Sequence, residues 1–450
     1  MMIAMRLSEA CAVLNAEMHG PDVDILGVST DTRTVQSRQL FVALHGPRHD
    51  AHDFLDAAAT AGAAAALIDR EVASPLPFIK VADTRRALAQ LAAHWRADFP
   101  IPVVAVTGSN GKTTVKEMTA SILSQRGTVL ATRGNLNNDI GVPLTIFDLG
   151  REHDFAVIEM GANHPGEIAQ LCRIARPTVA VITLCAPAHL EGFGSIEGVA
   201  RAKGEIFAGL PDDGLAVLNA DDPYVDLWRK LAGKRRVTTF GLNHDADVSA
   251  RMLASDDPGR TVFTMKTPRG EATVHLHLPG RHNVMNALAA GACALAAGVD
   301  MDAVCAGLES VRAVAGRLVI GKGYRGARII DDTYNANPSS MKAAIDVLVG
   351  YPGEHWLVLG DMGELGAEAA SLHYDVGEYA RARGVQRLFG LGELSRQSVA
   401  GFGSGGRQFA DADNLIDALR PGLGSAINVL VKGSRAMKME RIVQALKEET

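Results

Sequence analysis

The sequence has few of the residues that mark a disulfide scaffold or a zinc domain. Its 450 residues include five cysteines, which are widely spaced and form no Cys-x-x-Cys pair. Disulfide frameworks and structural zinc sites both depend on cysteines that recur in pairs at characteristic spacings. We therefore expect neither feature, and we expect a protein of a reducing compartment, the cytoplasm.

Aromatic residues and excess positive charge are also scarce. Phe, Tyr and Trp make up 5% of the chain, and 45 Lys and Arg residues face 51 Asp and Glu residues, which gives a net charge of −6. Nucleic-acid binding usually needs a basic surface and aromatic platforms for bases. The composition therefore argues against nucleic acid as a partner.

No apolar run is long enough to predict a membrane span. The best candidate, residues 283–299, contains Asn283 and Asn286 and falls short of the roughly 20 residues that a spanning helix needs. We predict a buried, Ala-rich helix there. Arg6 and Glu9 precede any sustained apolar run, so we expect no signal peptide.

What remains is the composition of an ordinary globular protein, with 47% hydrophobic and 21% charged residues. At roughly 150 residues per domain, the length predicts about three domains. Short apolar runs and an Ala-rich helical stretch over residues 54–66 indicate a small α/β domain at 1–83. We expect the second domain at 84–314 and the third at 315–450.

The second and third domains alternate apolar strands with helices, which predicts α/β domains with parallel sheets covered by helices. Predicted strands of the second domain lie at 103–106, 156–158, 178–183 and 215–218. A helix at 84–97 precedes them, and residues 247–278 alternate like strands without a helix, which predicts an antiparallel flap. After Gly316 the strand–helix alternation resumes, so we expect a Rossmann-like, doubly wound third domain.

Residues 107–114 carry the pattern of a phosphate-binding loop. An apolar strand at 103–106 leads into a glycine-bearing turn, and a helix follows to about residue 125, which is the context of a P-loop. The strict glycine spacing of that motif needs a glycine at Val106, so the general pattern is met in part. The alternative is a glycine turn that only caps a helix.

Each residue type in this loop suits phosphate or metal binding. Gly108 and Gly111 let backbone N–H groups approach phosphate oxygens, and the N-terminus of the helix favours negative charge. Lys112 can neutralise the β- and γ-phosphates, and the Thr113 hydroxyl can hold Mg²⁺. The loop predicts a nucleotide but leaves the reaction open.

Three further side chains are candidates for the same site. Glu159 ends a predicted strand, where ligands of open α/β sheets collect, and its carboxylate suits Mg²⁺. His189 lies in a later strand-end loop, and Lys203 lies on the helix that follows. On position alone, Glu159 could equally be a solvated carboxylate, His189 a packed histidine and Lys203 a surface ammonium.

Several separated segments resemble the Mur ligase family, the ATP-dependent amide-forming enzymes of bacterial cell-wall synthesis. The segments are 107–114, 134–143, 188–195, 202–206 and 282–287, and the likeness runs from about residue 25 to 445. The family does not use the strict glycine spacing, which explains Val106. The resemblance implies three domains that bind, in order, a UDP-MurNAc-peptide, ATP and the incoming amino-acid substrate.

The first and last domains indicate which branch of the family the chain resembles. Residues 31–33, 40–46 and 50–54 are similar to the UDP-sugar-binding domain. The segments 331–341, 359–366 and 431–435 are similar to the branch that adds D-alanyl-D-alanine, and the Asp-Asn-Pro-Arg motif of the diaminopimelate-adding branch is absent. The resemblance implies UDP-MurNAc-tripeptide and D-alanyl-D-alanine as substrates, joined through an acyl-phosphate, and we expect a monomer.

The resemblance also implies roles for individual residues. Those implied to bind ATP are Gly108, Ser109, Asn110, Gly111, Lys112, Thr113, Thr114, Asn283, Arg317 and Asp332. Those implied to hold Mg²⁺ are Thr113, Glu159, His189 and Lys203, with Lys203 carbamylated. Lys112, Glu159, His189 and Lys203 form the implied catalytic set. Those implied to bind the other substrates are Asp31, Arg33, Asn135, Asn138, Asn335, Asn337, Lys432 and Ser434.

Three alternatives remain at this point. A related ligase such as folylpolyglutamate synthase shares the loop but lacks the UDP-sugar domain that residues 25–54 resemble. A P-loop NTPase that hydrolyses ATP without joining substrates is the alternative from another class. The histidines His45, His49 and His52 could form a zinc site, but they fall in the implied substrate-binding loop, so we do not expect zinc there.

Overall fold

The structure, a computed structural model, describes residues 3–46, 49–187 and 190–447. The described N-terminal part holds a two-stranded antiparallel ribbon, β1–β3, and a five-stranded sheet in the order β2-β7-β6-β5-β4. Its elements are β1 (Ala4–Arg6), α1 (Leu7–Leu14), β2 (Glu17–His19), β3 (Asp24–Leu26), β4 (Val28–Ser29), β5 (Leu40–Val42), α2 (Leu55–Thr60), β6 (Ala65–Ile68), β7 (Phe78–Lys80) and α3 (Thr84–Ala97).

The predicted helix over residues 54–66 is wrong in its last part. The helix α2 ends at Thr60, and Gly62 then adopts a φ of +99°, a conformation that turns the chain and that side chains with a Cβ rarely take. Ala65 and Ala66 begin β6, which pairs with a strand on each side and is buried on both faces. A short alanine-rich run in the middle of a sheet is hard to tell from a helix by periodicity.

The central part, as far as it is described, contains a nine-stranded sheet in the order β16-β15-β14-β13-β12-β11-β8-β10-β9. Its elements are β8 (Val103–Thr107), α4 (Lys112–Leu123), β9 (Val129–Ala131), α5 (Gly141–Phe147), β10 (Phe155–Glu159), α6 (Glu167–Ala175), β11 (Val179–Ile182), α7 (Leu190–Phe193), α8 (Ile196–Ala208), β12 (Leu215–Asn219), α9 (Val225–Ala232), β13 (Arg236–Gly241), β14 (Val248–Met252), β15 (Thr261–Thr267), β16 (Gly270–Leu276), α10 (Arg281–Ala296) and α11 (Met301–Ser310).

The strands from β9 to β14 pair in parallel, and β14, β15 and β16 pair antiparallel. Every residue of β8 and β11 is buried, as expected for strands covered by helices on both faces. The predicted antiparallel flap exists, but it extends the main sheet through the β13–β14 pairing rather than lying apart from it. The predicted Ala-rich helix is α10, which is buried along most of its length.

The described C-terminal part contains a six-stranded sheet in the order β17-β18-β22-β19-β20-β21, parallel except for the β17–β18 pair. Its elements are β17 (Val319–Lys322), β18 (Arg328–Asp332), α12 (Pro338–Leu348), β19 (Glu354–Gly360), α13 (Ala369–Ala382), β20 (Arg387–Leu391), α14 (Ser395–Phe402), β21 (Gly406–Phe409), α15 (Ala412–Leu419), β22 (Ile427–Lys432) and α16 (Glu440–Leu446). Buried apolar side chains cover both faces of this sheet. Across the described ranges, none of the helices is long and apolar enough to cross a membrane.

Candidate active site

A cavity of about 630 Å³ lies between the central and C-terminal sheets. The loops that follow β8, β10 and β11 line one side, and the loops that follow β18, β19 and β22 line the other. Both sheets therefore present the carboxyl ends of their parallel strands to the same space. This is the edge at which open α/β sheets bind their ligands.

The glycine-bearing loop between β8 and α4 forms the floor of this cavity, and its glycines are required by close packing. Gly108 has a φ of +147°, and a Cβ there would lie 1.8 Å from the Thr183 Oγ1. Gly111 has a φ of +80°, and a Cβ there would lie 2.5 Å from the Asn286 Oδ1. Lys112 begins α4, so that the loop and the helix N-terminus face the cavity together.

Lys112 is turned back over the loop. Its Nζ donates a hydrogen bond to the Gly108 carbonyl at 2.8 Å. Burial lowers the pKa of Lys112 below its usual value, and the nearby Arg317 lowers it further, while Glu159 opposes both. The ammonium group therefore lies in a region of low dielectric constant, where its electrostatic attraction for a phosphate anion is stronger than in water.

The carboxylate at the end of β10 is held by two side chains. Glu159 is 2% exposed, accepts the Thr113 hydroxyl at 2.9 Å and accepts the Asn137 Nδ2 at 2.8 Å. The backbone N–H of Glu159 donates to the Thr132 Oγ1 at 3.0 Å. Thr113 and Glu159 thus present hydroxyl and carboxylate oxygens side by side, which is the donor set that Mg²⁺ prefers.

Asn137 belongs to this arrangement and was missed from the sequence. The segment 134–143 was singled out, but its candidates were Asn135 and Asn138. Asn138 instead accepts the Gly141 backbone N–H at 2.8 Å, at the start of α5, and its neighbour Asn137 reaches Glu159. Neighbouring asparagines in one loop cannot be told apart without the backbone path.

Arg317 reaches this group from the C-terminal side of the cavity. Its Nη2 donates to the Thr113 Oγ1 at 2.9 Å, and its guanidinium carbon lies 4.1 Å from the centre of the Tyr334 ring. Within the described residues, its Nε is buried and has no hydrogen-bond acceptor. A buried, unpaired N–H is costly, so this donor favours an anionic ligand in the cavity.

Lys203 lies on α8 and is also at this site. It is 2% exposed and lines the cavity with Glu159 and Lys112. Burial and the charge of Lys112 lower the pKa of Lys203 to about 7. A large fraction of this amine is therefore uncharged at neutral pH, unlike the surface ammonium that position alone suggested. His189, the other candidate, lies outside the described residues.

On the opposite wall, a buried ion pair joins two strands of the C-terminal sheet. The Lys432 Nζ lies 2.5 Å from the Asp332 Oδ2 and donates to the Asn335 carbonyl at 2.8 Å. The register of β18 and β22 places Asp332 directly opposite Lys432, so the pairing follows from the sheet itself. The Leu318 backbone N–H donates to the other Asp332 oxygen at 3.2 Å.

Two asparagines connect the two walls. Asn110 and Asn337 exchange hydrogen bonds, with Asn337 Nδ2 donating at 2.7 Å and Asn110 Nδ2 donating at 3.2 Å. Asn337 is also the N-cap of α12, since its Oδ1 accepts the Ser340 N–H at 2.9 Å. The phosphate loop therefore contacts the first turn of a C-terminal helix.

Asn283 lies at the start of α10 and is fixed by local contacts. Its Nδ2 donates to the Pro279 carbonyl at 2.8 Å, and its Oδ1 accepts the Asn286 Nδ2 at 3.2 Å. Partial burial and the charge of Lys432 lower the pKa of the preceding His282 to about 4, which keeps it neutral at pH 7. These side chains form a polar, uncharged wall of the cavity.

Most of the predicted site residues line this one cavity. They are Ser109, Asn110, Gly111, Lys112, Thr113, Thr114, Asn135, Asn138, Glu159, Lys203, Asn283, Arg317, Asp332, Asn335, Asn337, Lys432 and Ser434. The structure does not place Asp31 and Arg33 there. They lie in the N-terminal part and bind each other, with Arg33 Nε 2.9 Å from Asp31 Oδ1, and this contact lowers the pKa of Asp31 to about 2.

Comparison with protein-family models gives three matches along the chain. Residues 24–96 match the Mur ligase family catalytic domain, 106–294 the Mur ligase middle domain, and 316–435 the Mur ligase glutamate ligase domain. The UDP-N-acetylmuramoyl-tripeptide–D-alanyl-D-alanine ligase of Escherichia coli is 48% identical over 450 residues, which cover 99% of each chain.

Two solved structures resemble the chain over most of its length. A crystal structure of MurF from Acinetobacter baumannii superposes with a TM-score of 0.95 at 35% identity and covers all of both chains. A MurF ligase from Thermotoga maritima, in complex with ADP, superposes with a TM-score of 0.84 at 29% identity and covers 93% of this chain and 96% of that one.

Proposed function

The chain belongs to the Mur ligase family, and from this membership we propose how its central cavity carries out the reaction. The protein is an ATP-dependent ligase that joins D-alanyl-D-alanine to UDP-N-acetylmuramoyl-tripeptide, a step of peptidoglycan precursor synthesis. The observation that carries the mechanism is the contact of Thr113 with both Glu159 and Arg317 beside Lys112. It combines cation-binding oxygens with guanidinium and ammonium groups at a helix N-terminus.

The first chemical step brings two anions together. The carboxylate of the tripeptide attacks the γ-phosphate of ATP, forms an acyl-phosphate and releases ADP. Lys112 and Arg317 offset the repulsion and stabilise the negative charge that spreads over the transferring oxygens. The unpaired Nε of Arg317 gives it a donor for a phosphate oxygen.

The oxygens of Thr113 and Glu159 fit Mg²⁺, and we propose that they hold it. Glu159 is buried and hydrogen-bonded on both of its oxygens, so its position is fixed before nucleotide binds. Mg²⁺ bound there supplies positive charge next to the β- and γ-phosphates. Asn137 positions Glu159 by holding the oxygen that Thr113 does not contact.

We propose that Lys203 carries a carbamate. Its pKa of about 7 leaves an uncharged amine, which can attack CO₂ and lose a proton to give a carboxylate-like group. The carbamate places an anion near the Lys112 ammonium, which would repel a protonated Lys203. With His189, this group would complete a second Mg²⁺ site.

The second step needs the amine of D-alanyl-D-alanine beside the acyl-phosphate. We propose that the C-terminal domain, residues 315–450, binds this substrate through Asn335, Lys432 and Ser434, which lie on the cavity wall opposite the phosphate loop. The amine attacks the acyl carbon, phosphate leaves, and the amide forms. Water must be kept out until then, because it would hydrolyse the acyl-phosphate.

We assign the other substrates by domain. Residues 1–83 bind the UDP-sugar end of the precursor, with Asp31 and Arg33 as candidate contacts, and residues 84–314 bind ATP. Asn135 and Asn138 lie on the central wall of the cavity, and we assign them to binding of the peptide. We further propose a cytoplasmic monomer, and the five cysteines are free, in keeping with a reducing compartment.

An acceptor panel tests this function. The full-length protein, ATP, Mg²⁺ and UDP-MurNAc-tripeptide are incubated with D-alanyl-D-alanine, D-alanine or D-glutamate, and the products are identified by mass. We expect UDP-MurNAc-pentapeptide with the dipeptide and little product with either amino acid. Equal product from free D-alanine or D-glutamate would contradict the assignment.

A further inference from the structure

A group of metal-ligating side chains lies in the N-terminal part, separate from the cavity. His45 follows β5, His52 lies in the turn before α2, and Asp69 follows β6 directly. Because β5 and β6 pair in parallel, their carboxyl ends are adjacent, and this brings the three side chains together. One ligand atom from each lies within 4.8 Å of the others.

The two imidazoles converge on one carboxylate oxygen. The His45 Nε2 lies 3.0 Å from the Asp69 Oδ1, and the His52 Nε2 lies 3.2 Å from the same oxygen. Tetrahedral zinc ligands, each about 2.0–2.1 Å from the metal, are separated by about 3.3 Å. The two nitrogen-to-oxygen distances are therefore close to what a bound metal would need.

A second carboxylate orients both rings from behind. Asp50 lies 2.6 Å from the His52 Nδ1 with one oxygen and 3.2 Å from the His45 Nδ1 with the other. Metal-binding histidines usually donate their second nitrogen to a carboxylate or carbonyl in this way, which turns the free lone pair toward the metal. Asp50 thus fixes the Nε2 atoms of both rings as the ones that face Asp69.

Hydrogen bonds also orient the ring of His52. The Asp69 backbone N–H donates to the His52 Nε2 at 3.2 Å, so this nitrogen directs its lone pair toward Asp69. The ring is buried, and its Nε2 lone pair lies beside the Asp69 Oδ1. Two acceptor atoms at this distance repel each other, and a cation bound between them would remove the repulsion. Binding of a metal would replace the long hydrogen bond from Asp69.

The charges around the group favour a cation. Arg70 lies 3.2 Å from Asp50 and 2.8 Å from Asp53, so one guanidinium is shared by two carboxylates. Asp69 accepts a hydrogen bond from the uncharged Thr84 hydroxyl at 3.2 Å. These three carboxylates carry more negative charge than the one arginine offsets.

From the sequence alone we do not expect zinc at these histidines, but from this geometry we propose that His45, His52 and Asp69 bind a divalent transition-metal cation of the zinc type. Two imidazole nitrogens and one carboxylate oxygen suit zinc, whereas Mg²⁺ and Ca²⁺ prefer oxygen alone. His45 is half exposed, so water can take the fourth position. The bound metal fastens the loop after β5 to the end of β6, and this role is independent of ATP binding.

Calorimetric titration of the full-length protein with Zn²⁺ tests the proposal. The protein is first treated with a chelator and then saturated with Mg²⁺–ADP, which keeps Zn²⁺ out of the nucleotide cavity. We expect one equivalent of Zn²⁺ to bind and to raise the unfolding temperature. Co²⁺ in place of Zn²⁺ should give the visible absorption of a tetrahedral site.

Three variants locate the site. His45→Ala should weaken Zn²⁺ binding at least about tenfold, as should Asp50→Asn, which leaves the ligands in place but removes their orientation. His49→Ala, in the same loop but outside the group, should bind like the wild type. Circular dichroism shows whether each variant folds. Unchanged affinity in folded His45→Ala, or no saturable binding by the wild type, would overturn the proposal.

Discussion

We propose that the chemistry of the cavity depends on a few of the side chains that line it, and replacement of Lys112 is the most direct test. Replacement of Lys112 by alanine should lower turnover by at least about 10²-fold, because it removes a preorganised positive charge at the transferring phosphate. Release of ADP in the complete reaction measures the effect. Lys266→Ala is a matched control, since Lys266 is exposed on β15, and it should leave turnover unchanged. Near wild-type turnover in Lys112→Ala would show that the loop is only structural.

We predict from Lys203 that enzyme activity depends on CO₂ and that its recovery depends on pH. Its pKa of about 7 lies far below the usual lysine value, so the amine is uncharged above that pH and protonated below it. Only the uncharged amine reacts with CO₂. After CO₂ is removed, restoring the same concentration of dissolved CO₂ at each pH should bring activity back faster as the pH rises through about 7. A rate of recovery that does not change across this range would contradict a carbamate.

Chemical rescue tests the same lysine independently. Lys203→Ala should lose most of its activity and regain part of it when a short-chain carboxylic acid is added, because the acid replaces the carbamate oxygens. Lys266→Ala should show no response to the acid. An unmodified lysine in a high-resolution structure of the active complex would also refute the carbamate.

Among the helices and strands, α12 gives a test of both stability and activity. Its N-cap residue, Asn337, stabilises the helix and also contacts Asn110 of the phosphate loop. Asn337→Ala removes both the N-cap and the contact with Asn110, and it should lower the free energy of unfolding by about 1 kcal/mol. Asn337→Ser keeps a capping hydroxyl but is too short to reach Asn110. We expect urea unfolding to distinguish the two variants, whereas both should have a lower kcat/KM. Wild-type activity in both would mean that the contact between the walls is not used.

The sequence was a good guide to elements with strong apolar patterns and a poor one elsewhere. The helix at 84–97 and the buried strands β8, β10 and β11 were predicted almost to the residue, because continuous apolar runs end at clear turns. The first two residues of β6, Ala65 and Ala66, were predicted as helix, since alanine carries little periodic signal. The short edge strand β21, with an exposed and polar middle, was not predicted at all.

Of the candidate site, the sequence predicted the loop chemistry better than the contacts between distant segments. Lys112, Thr113 and Glu159 come together as expected, because strand-end positions in one sheet share an edge. The approach of Arg317 to Thr113 depends on how two sheets face each other, and that of Asn137 to Glu159 depends on the path of the loop after β9. No spacing within the sequence encodes either arrangement.

At the scale of the whole molecule, we predict that the two walls of the cavity move relative to each other during the reaction. We expect the C-terminal domain to close when ATP and precursor bind, by rotation near residues 313–317. Small-angle scattering with and without an ATP analogue and precursor measures this. An unchanged radius of gyration and distance distribution would reject closure.

A substitution at Gly316 tests the same rotation of the C-terminal domain. It has a φ of +71°, and a Cβ there would lie 3.2 Å from the Tyr334 backbone nitrogen, so Gly316→Ala should be strained and should lower turnover. Gly384→Ala is the control, because Gly384 has a φ of +86° with open space around it at the end of α13. Equal turnover in the two variants would mean that backbone strain at Gly316 affects turnover no more than the same strain at Gly384.

Steady-state ADP release with each substrate omitted in turn tests whether this cavity joins two substrates or only hydrolyses ATP. The wild-type protein receives ATP and Mg²⁺ with UDP-MurNAc-tripeptide, with D-alanyl-D-alanine, with both, or with neither. Sustained ADP release should require both substrates and should match pentapeptide formation one to one. Sustained release with ATP and Mg²⁺ alone, at the rate seen with both substrates, would show that the protein hydrolyses ATP without joining the substrates.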